Sequence, residues 1–388
     1  MINKTTILYV LLCLLLKTFT ATAQITPAAH RTGEYLPMLK NKKVGVVTNH
    51  TGLIEKTHLV DSLLNLDISI TAIFCPEHGF RGDKEAGLTI ESSTDIKTGI
   101  KIISLYGNNK KPTANDLRNI DVLLFDMQDV GVRYYTYIST MHYVMEAAAE
   151  NRKQVIVLDR PNPNGFYIDG PVLDMTYSSF VGMHPIPVVY GMTIGELALM
   201  INGEGWLKNK IKCNITVIEC ENYTHNSRYM LPVPPSPNLP CMEAVYLYPS
   251  LGFFEGTVVS EGRGTHFPFQ TYGHPLLKGL PFEFTPVSIP EATKPKFNNI
   301  KCYGEDLRNT MIAKGEVNEL TLIYLINSYR QLKLTDFFNS FFRYLAGNNN
   351  LQKQIEDNTD IEDIRASWSD DLEKFKAVRQ KYLLYEDF

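Results

Sequence analysis

The sequence predicts an α/β protein: a Rossmann-like open parallel sheet with helices on both faces, followed by a smaller mixed α+β domain. Three observations carry this. Short β-rich runs at 44–47, 68–74, 102–105, 122–125, 155–158 and 215–218 alternate with amphipathic stretches. The runs are continuously apolar rather than alternating, as strands covered on both faces by helices must be. A proline-dense stretch at 232–240 then ends the rhythm, because missing amide donors and a fixed φ forbid regular helix or interior strand there.

In chain order, residues 1–23 come first. Lys4 precedes an apolar run at 7–16, and Ala21-Thr22-Ala23 has the small-x-small form that signal peptidase cleaves. The expectation is a removed secretory signal and a location in the periplasm. The run is too short to span roughly 30 Å of hydrocarbon, so no stable membrane insertion is expected. Of the six cysteines, Cys13 leaves with the signal, and the other five have no CxxC spacing, so neither a disulfide framework nor a zinc ribbon is indicated. The stretches 134–151 and 193–202 are expected to be helical. The domains are placed at 34–240 and 241–388, with 280–289 extended and 318–344 and 360–384 helical in the second. Nothing in the sequence sets an oligomeric state.

Composition narrows the function. The 388 residues are 44% hydrophobic and 21% charged, a globular balance. Lys and Arg number 38 against 42 Asp and Glu, so there is no basic excess to neutralise a phosphate backbone, and no nucleic-acid partner is expected.

In an open parallel sheet, the loops leaving the carboxyl ends of the strands border a crevice and carry the chemistry. Here those loops are rich in polar groups. The first strand runs into Asn49 and His50, and the second into Glu77, His78 and Arg81. The fourth runs into Asp126, Gln128, Asp129, Arg133 and Tyr134, and the fifth into Asp159, Arg160, Asn162 and Asn164. The amino ends of the same strands carry ordinary turn residues. A second-domain loop with Glu255, Arg263 and Thr265 is glycine-rich and is expected to fold over the crevice, closing it.

No GxGxxG or GxxxxGK[ST] is present, so no nucleotide cofactor is expected. His50, His78 and Asp126 could approach one another, but no HExxH or paired Cys accompanies them, and no metal is assigned. No GxSxG elbow exists for a serine nucleophile. Carboxyl chemistry remains. Glu77 follows a buried strand, where desolvation raises a carboxyl pKa toward general-acid use; its competing role is a local ion pair with Arg81. Asp126 and Asp129 offer a second carboxylate, one of which could instead cap the helix near Tyr134. Arg133, Arg160 and Arg263 are forks suited to a ligand carboxylate, or to structural pairing.

Eight blocks in one order then stand out: VGVVTNHTG (44–52), PEHGFRG (76–82), DMQDVGVRYYTYISTM (126–141), LDRPNPNG (158–165), GPVLD (170–174), HPIPVVYGMTIGELA (184–198), PPSPNLP (234–240) and FEGTVVSEGRGTHFPF (254–269). Together they resemble the NamZ-type exo-β-N-acetylmuramidases. The resemblance implies a nucleotide-free Rossmann-like domain, a smaller C-terminal domain and a cleft between them. It also implies release of β-1,4-linked N-acetylmuramic acid from non-reducing ends of peptidoglycan fragments. The glutamate of its PEHGF block, the best acid/base candidate, is Glu77. Strand-end placement, which the resemblance does not settle, makes His78 and Asp126 the expected assistants, with Asp129 the alternative carboxylate, and the other strand-end residues together with Glu255, Arg263 and Thr265 the expected sugar contacts. Two other readings compete: a non-catalytic muropeptide-binding envelope protein, and a metal-dependent hydrolase of envelope polymers.

Overall fold

The computed structural model describes residues 24–76, 80–81 and 93–388, so the leader-like residues 1–23 and the positions Glu77 and His78 lie outside the described residues. Among those described, seven strands form one sheet: β1 (Val44–Thr48), β4 (Ile70–Cys75), β5 (Ser93–Thr94), β6 (Lys101–Ser104), β7 (Val122–Asp126), β8 (Gln154–Leu158) and β9 (Asn214–Ile218). Two short strands between β1 and β4, β2 (Leu53–Ile54) and β3 (Thr57–His58), make a separate hairpin. The sheet order is β5-β6-β4-β1-β7-β8-β9, parallel throughout except for β5 against β6.

The apolar runs have the cause the sequence suggested. Val47, Leu123, Phe125, Val155 and Val157 enter one core, while Val44, Val46, Val122, Leu124, Ile156 and Leu158 enter another on the opposite face. Successive side chains point to opposite faces, so burial on both requires apolar residues at every position. The helices Tyr137–Glu150 and Ile194–Gly203 lie where expected. A capping box at Thr193 and Glu196 starts the second. The first begins at N-cap Thr136 with no side-chain cap, so neither Asp126 nor Asp129 serves that purpose.

Beyond the prolines come a helix (Met242–Leu251), a 3-10 turn (Gly252–Gly256) and a three-stranded antiparallel sheet of β10 (Thr271–His274), β12 (Cys302–Asp306) and β11 (Phe282–Phe284), in that spatial order. Here the expected elements are too long. The strand anticipated over 280–289 is limited to Phe282–Phe284, between Pro281 and Pro286, neither of which can donate to a ladder. The helix anticipated over 318–344 is two, Ile323–Leu332 and Phe342–Ala346, broken where Lys333 turns left-handed at φ 49°. That over 360–384 divides at Ser367 and Trp368 into Ile361–Ala366 and Ser369–Arg379.

The larger core runs without interruption from Phe125 and Tyr137 through Leu247 and Phe253 to Phe342 and Phe375, so both regions share one apolar interior. The chain end also returns to the first region. Arg379 donates to the Gly191 carbonyl at 2.9 Å, and the Tyr385 hydroxyl donates to Asp159 Oδ2 at 2.6 Å. No helix among the described residues is long and apolar enough to cross a membrane.

One buried pair is expected to contribute a pH dependence to stability. His142 Nδ1 and His184 Nε2 lie 3.0 Å apart, with the His184 ring stacked on Trp206. Burial lowers both pKa values. For His142, Glu146 opposes that lowering and Lys111 adds to it. A base whose folded pKa lies below its unfolded value of about 6.5 is protonated first in the unfolded chain, so stability is lost as pH falls through that value. The denaturation midpoint is therefore expected to drop between about pH 7 and pH 5. His184→Gln should flatten that slope; parallel slopes for the two proteins would show that the pair is not responsible.

Candidate active site

The loops at the carboxyl ends of β1, β7 and β8 are tied to one another. Asn49 Oδ1 accepts from the Thr51 amide at 3.0 Å and its hydroxyl at 2.6 Å, while Asn49 Nδ2 donates to the Tyr137 hydroxyl at 2.7 Å. Thr51 Oγ1 accepts from the Gln128 amide at 3.0 Å, and Gln128 Nε2 donates to the Asp129 and Pro161 carbonyls, both at 2.8 Å. Gly131, at φ 74°, sits so close to Asn162 that a Cβ would lie 2.2 Å from its Oδ1, which explains glycine there. Asn162 and Asn164, both buried, hold the carbonyls of Met192, Val130 and Val245.

Three strand-end carboxylates point inward. Asp126 makes a two-pronged ion pair with Arg160, Oδ1 to Nε at 2.5 Å and Oδ2 to Nη2 at 2.9 Å. Asp129 Oδ2 accepts from the Gly131 amide and from the Tyr190 hydroxyl; burial pushes its pKa up to about 6 against those bonds. Asp159 accepts from the Arg160 and Gly195 amides and from the hydroxyls of Thr193 and Tyr385, and burial raises its pKa to about 7. All three are at most 4% exposed.

The arginines separate. Arg133 is fully buried and donates to the carbonyls of Pro171, Ile186, Leu345 and Ala346, and burial brings its pKa down to about 10. Its fork therefore serves the junction of the two regions. Arg81 is bidentate to both Asp61 and Asp95, at 2.9 to 3.1 Å. Arg160, beyond its pair with Asp126, borders a side hollow with His30, Glu55, Tyr229 and Met230.

Arg263 lines a different cavity, a cleft of about 230 Å³ between the two regions. One wall is aromatic: Tyr134, Tyr135, Tyr137, Tyr248 and Phe269, meeting largely edge to face. The Tyr134 and Tyr135 hydroxyls donate to the carbonyls of Pro249 and Pro235 at 2.6 and 2.7 Å. The proline run crosses the strand ends, held by His50, whose Nε2 donates to the Pro234 carbonyl at 2.9 Å, and adds Ser236 and Asn238 to the lining. In the same lining, Arg263 Nη2 donates to Glu255 Oε1 at 2.6 Å while Nε lies 3.4 Å from Glu261 Oε1. Burial opposes the charge on Arg263, but Glu255 and Glu261 raise its pKa above the ordinary value. Thr265 borders an adjoining hollow lined by Pro234, Pro237 and Pro240, with its hydroxyl donated to the Gly262 carbonyl at 2.7 Å.

Of the expected contacts, the cleft thus contains Tyr134, Glu255 and Arg263. Asn49, Gln128, Asp129, Asn162 and Asn164 fasten loops behind it. Tyr135, Tyr137, Ser236, Asn238, Tyr248 and Phe269 were missed, although the clustering of tyrosine in YYTY (134–137) was a visible signal. Among the described residues, no group of three or more His, Cys, Asp or Glu side chains is placed to hold a metal ion.

Comparison with known proteins identifies the family and the fold. The N-terminal model of exo-β-N-acetylmuramidase NamZ matches residues 44–243 and the C-terminal model residues 246–385. The chain belongs to the NamZ family. The peptidoglycan β-N-acetylmuramidase NamZ of Bacillus subtilis (strain 168) is 42% identical over 373 residues, which span 91% of this chain and 89% of that protein. Two crystal structures of DUF1343 family proteins from Bacteroides fragilis are similar throughout. One is 48% identical with a TM-score of 0.88, covering 94% of this chain and 100% of its own. The other is 30% identical with a TM-score of 0.77, covering 93% and 99%. The NamZ fold, an α/β Rossmann-like sheet with a smaller C-terminal region, is therefore that of this chain.

Proposed function

We propose that this protein is an exo-acting glycoside hydrolase that releases N-acetylmuramic acid from the non-reducing ends of peptidoglycan fragments. The observation that carries the reading is membership of the NamZ family along both regions, at 42% identity to a protein named for that activity. The cleft is compatible with such a substrate. Aromatic faces pack against the apolar faces of a sugar ring, and a cation is available for the lactyl carboxylate that distinguishes muramic acid from glucosamine.

In this reading Glu77 protonates the leaving oxygen while positive charge develops on the anomeric carbon and ring oxygen. Export by the N-terminal segment would bring the enzyme to its polymer in the cell envelope. Incubation with the disaccharide N-acetylmuramyl-β-1,4-N-acetylglucosamine, followed by mass analysis, is expected to yield both monosaccharides, with or without a chelator. Intact disaccharide would overturn the reading, and activity abolished by the chelator would favour a metal-dependent hydrolase.

Arg263 is the proposed carboxylate contact. Removing one charge-assisted hydrogen bond costs about 1.5–3 kcal/mol, roughly a 10- to 100-fold change. Because Arg263 also holds Glu255 Oε1, the diagnostic quantity is KM: Arg263→Met is expected to raise KM for a chromogenic muramic acid glycoside by that factor, with little change in KM for the glucosamine analogue, whatever kcat both substrates lose. An equal rise in KM on both substrates would assign Arg263 to the scaffold instead.

A further inference from the structure

We infer that Glu255 is the second carboxylate of the reaction, the one that faces the positive charge developing at the anomeric carbon. This rests on the glycosidase reading and adds a group that the strand ends do not provide. Cleavage of a glycosidic bond needs, besides a proton donor, negative charge against an oxocarbenium-like centre. The aspartates best placed by sequence are committed elsewhere. Asp126 is locked to Arg160 and Asp159 to Thr193, Gly195 and Tyr385, while Asp129 is held through Oδ2 by Tyr190 and Gly131, its Oδ1 being buried rather than open to the cleft. None of the three lines the cleft, whereas Glu255 does.

The position of Glu255 is rigidly set. It belongs to the 3-10 turn Gly252–Gly256, whose flanking glycines admit neighbours at contact distance: a Cβ on Gly252 would lie 2.5 Å from the Tyr134 ring, and one on Gly256 would lie 2.5 Å from Phe342 Cα. The turn is therefore wedged between a cleft-lining tyrosine and the short helix Phe342–Ala346. Arg263 holds Oε1 at 2.6 Å, and Arg263 is itself set over the Phe269 ring at 5.0 Å and beside Glu261, which Lys296 anchors at 2.9 Å. Glu255 Oε2 has no hydrogen-bond partner among the described residues, and the side chain is 23% exposed, toward the cleft. One oxygen is thus fixed, and among the described residues the other is left unengaged on the cleft side. A carboxylate oriented in advance stabilises the transition state without reorganising during the reaction.

The test is Glu255→Gln, which keeps the shape and removes the charge, assayed on the disaccharide beside the unmodified protein. We expect kcat to fall at least about 100-fold with KM within about threefold, and an unchanged melting temperature. Glu255→Ala assayed with added formate is the second measurement: a small carboxylate entering the vacated space should recover at least about tenfold of the lost rate. If kcat of Glu255→Gln stays within about threefold of the unmodified protein, or if only KM changes, the inference is wrong. Glu255→Ala that formate does not revive would also reject it. Failure of the unmodified protein to cleave the disaccharide would instead reject the glycosidase reading itself.

Discussion

Glu77→Gln is expected to leave folding unchanged and to lower kcat on the natural disaccharide by roughly 10²- to 10⁴-fold, the contribution typical of a general acid. The position follows β4 by two residues, and β4 lies between β1 and β6 in the sheet, so its loop leaves the same edge as the loop carrying Asn49 and His50. The residue itself lies outside the described residues, and its role rests on this placement in sequence and on the PEHGF block. A leaving-group comparison isolates the proton-donor role. A sugar alcohol leaves poorly without a proton, whereas an activated phenolate leaves readily. The variant should therefore lose far more activity on the disaccharide than on a nitrophenyl glycoside, and its rate profile should lose the decline at high pH. Glu255→Gln, acting on charge at the sugar ring, should lose similar factors on both substrates. Equal losses for Glu77→Gln would move it from acid to a different role, and near-normal turnover would remove it from the mechanism.

The second large effect is on stability. Arg160→Met is expected to destabilise the fold by about 3–5 kcal/mol, because it leaves Asp126 as an uncompensated charge at the junction of β7 and β8. Asp126 is fully buried and Arg160, although it borders the side hollow, is only 3% exposed, so the pair itself is largely shielded from water. Replacing both residues with apolar ones of similar volume should recover much of that loss, because the pair's own attraction is largely offset by the cost of desolvating both charges. Denaturant unfolding of the two single variants and the double variant measures the coupling directly. A single variant within about 1 kcal/mol of the parent would show that the pair is hydrated in solution.

Much of the fold was legible because it depends on local periodicity. β1, β4, β7 and β8 were readable as continuous apolar runs, since their side chains are largely buried on both faces; β9 was readable from its run at 215–218 although, at the sheet edge, it is mostly half-buried. The polar loops at one edge were also readable, and they do gather at that edge. What could not be read was which of their groups faces a ligand. Arg133 and Arg263 have the same chemistry and similar surroundings of glycine and aromatic residues in sequence. One is consumed by the carbonyls of Pro171, Ile186, Leu345 and Ala346, and the other lies in the cleft. Buried loops need the same hydrogen-bonding side chains as a sugar site does, so composition alone does not distinguish fasteners from contacts.

The sequence by itself determined the class of sheet, the edge at which the polar loops gather and the family, because these follow from side-chain period, loop composition and the order of motifs. Only the tertiary structure decided that the cleft is walled by tyrosines and the proline run, that Glu255 and Arg263 face it, and that the last residues return to Asp159. Those facts depend on contacts between positions a hundred or more residues apart, where the partner that completes each buried polar group is chosen by packing and leaves no mark on the local pattern.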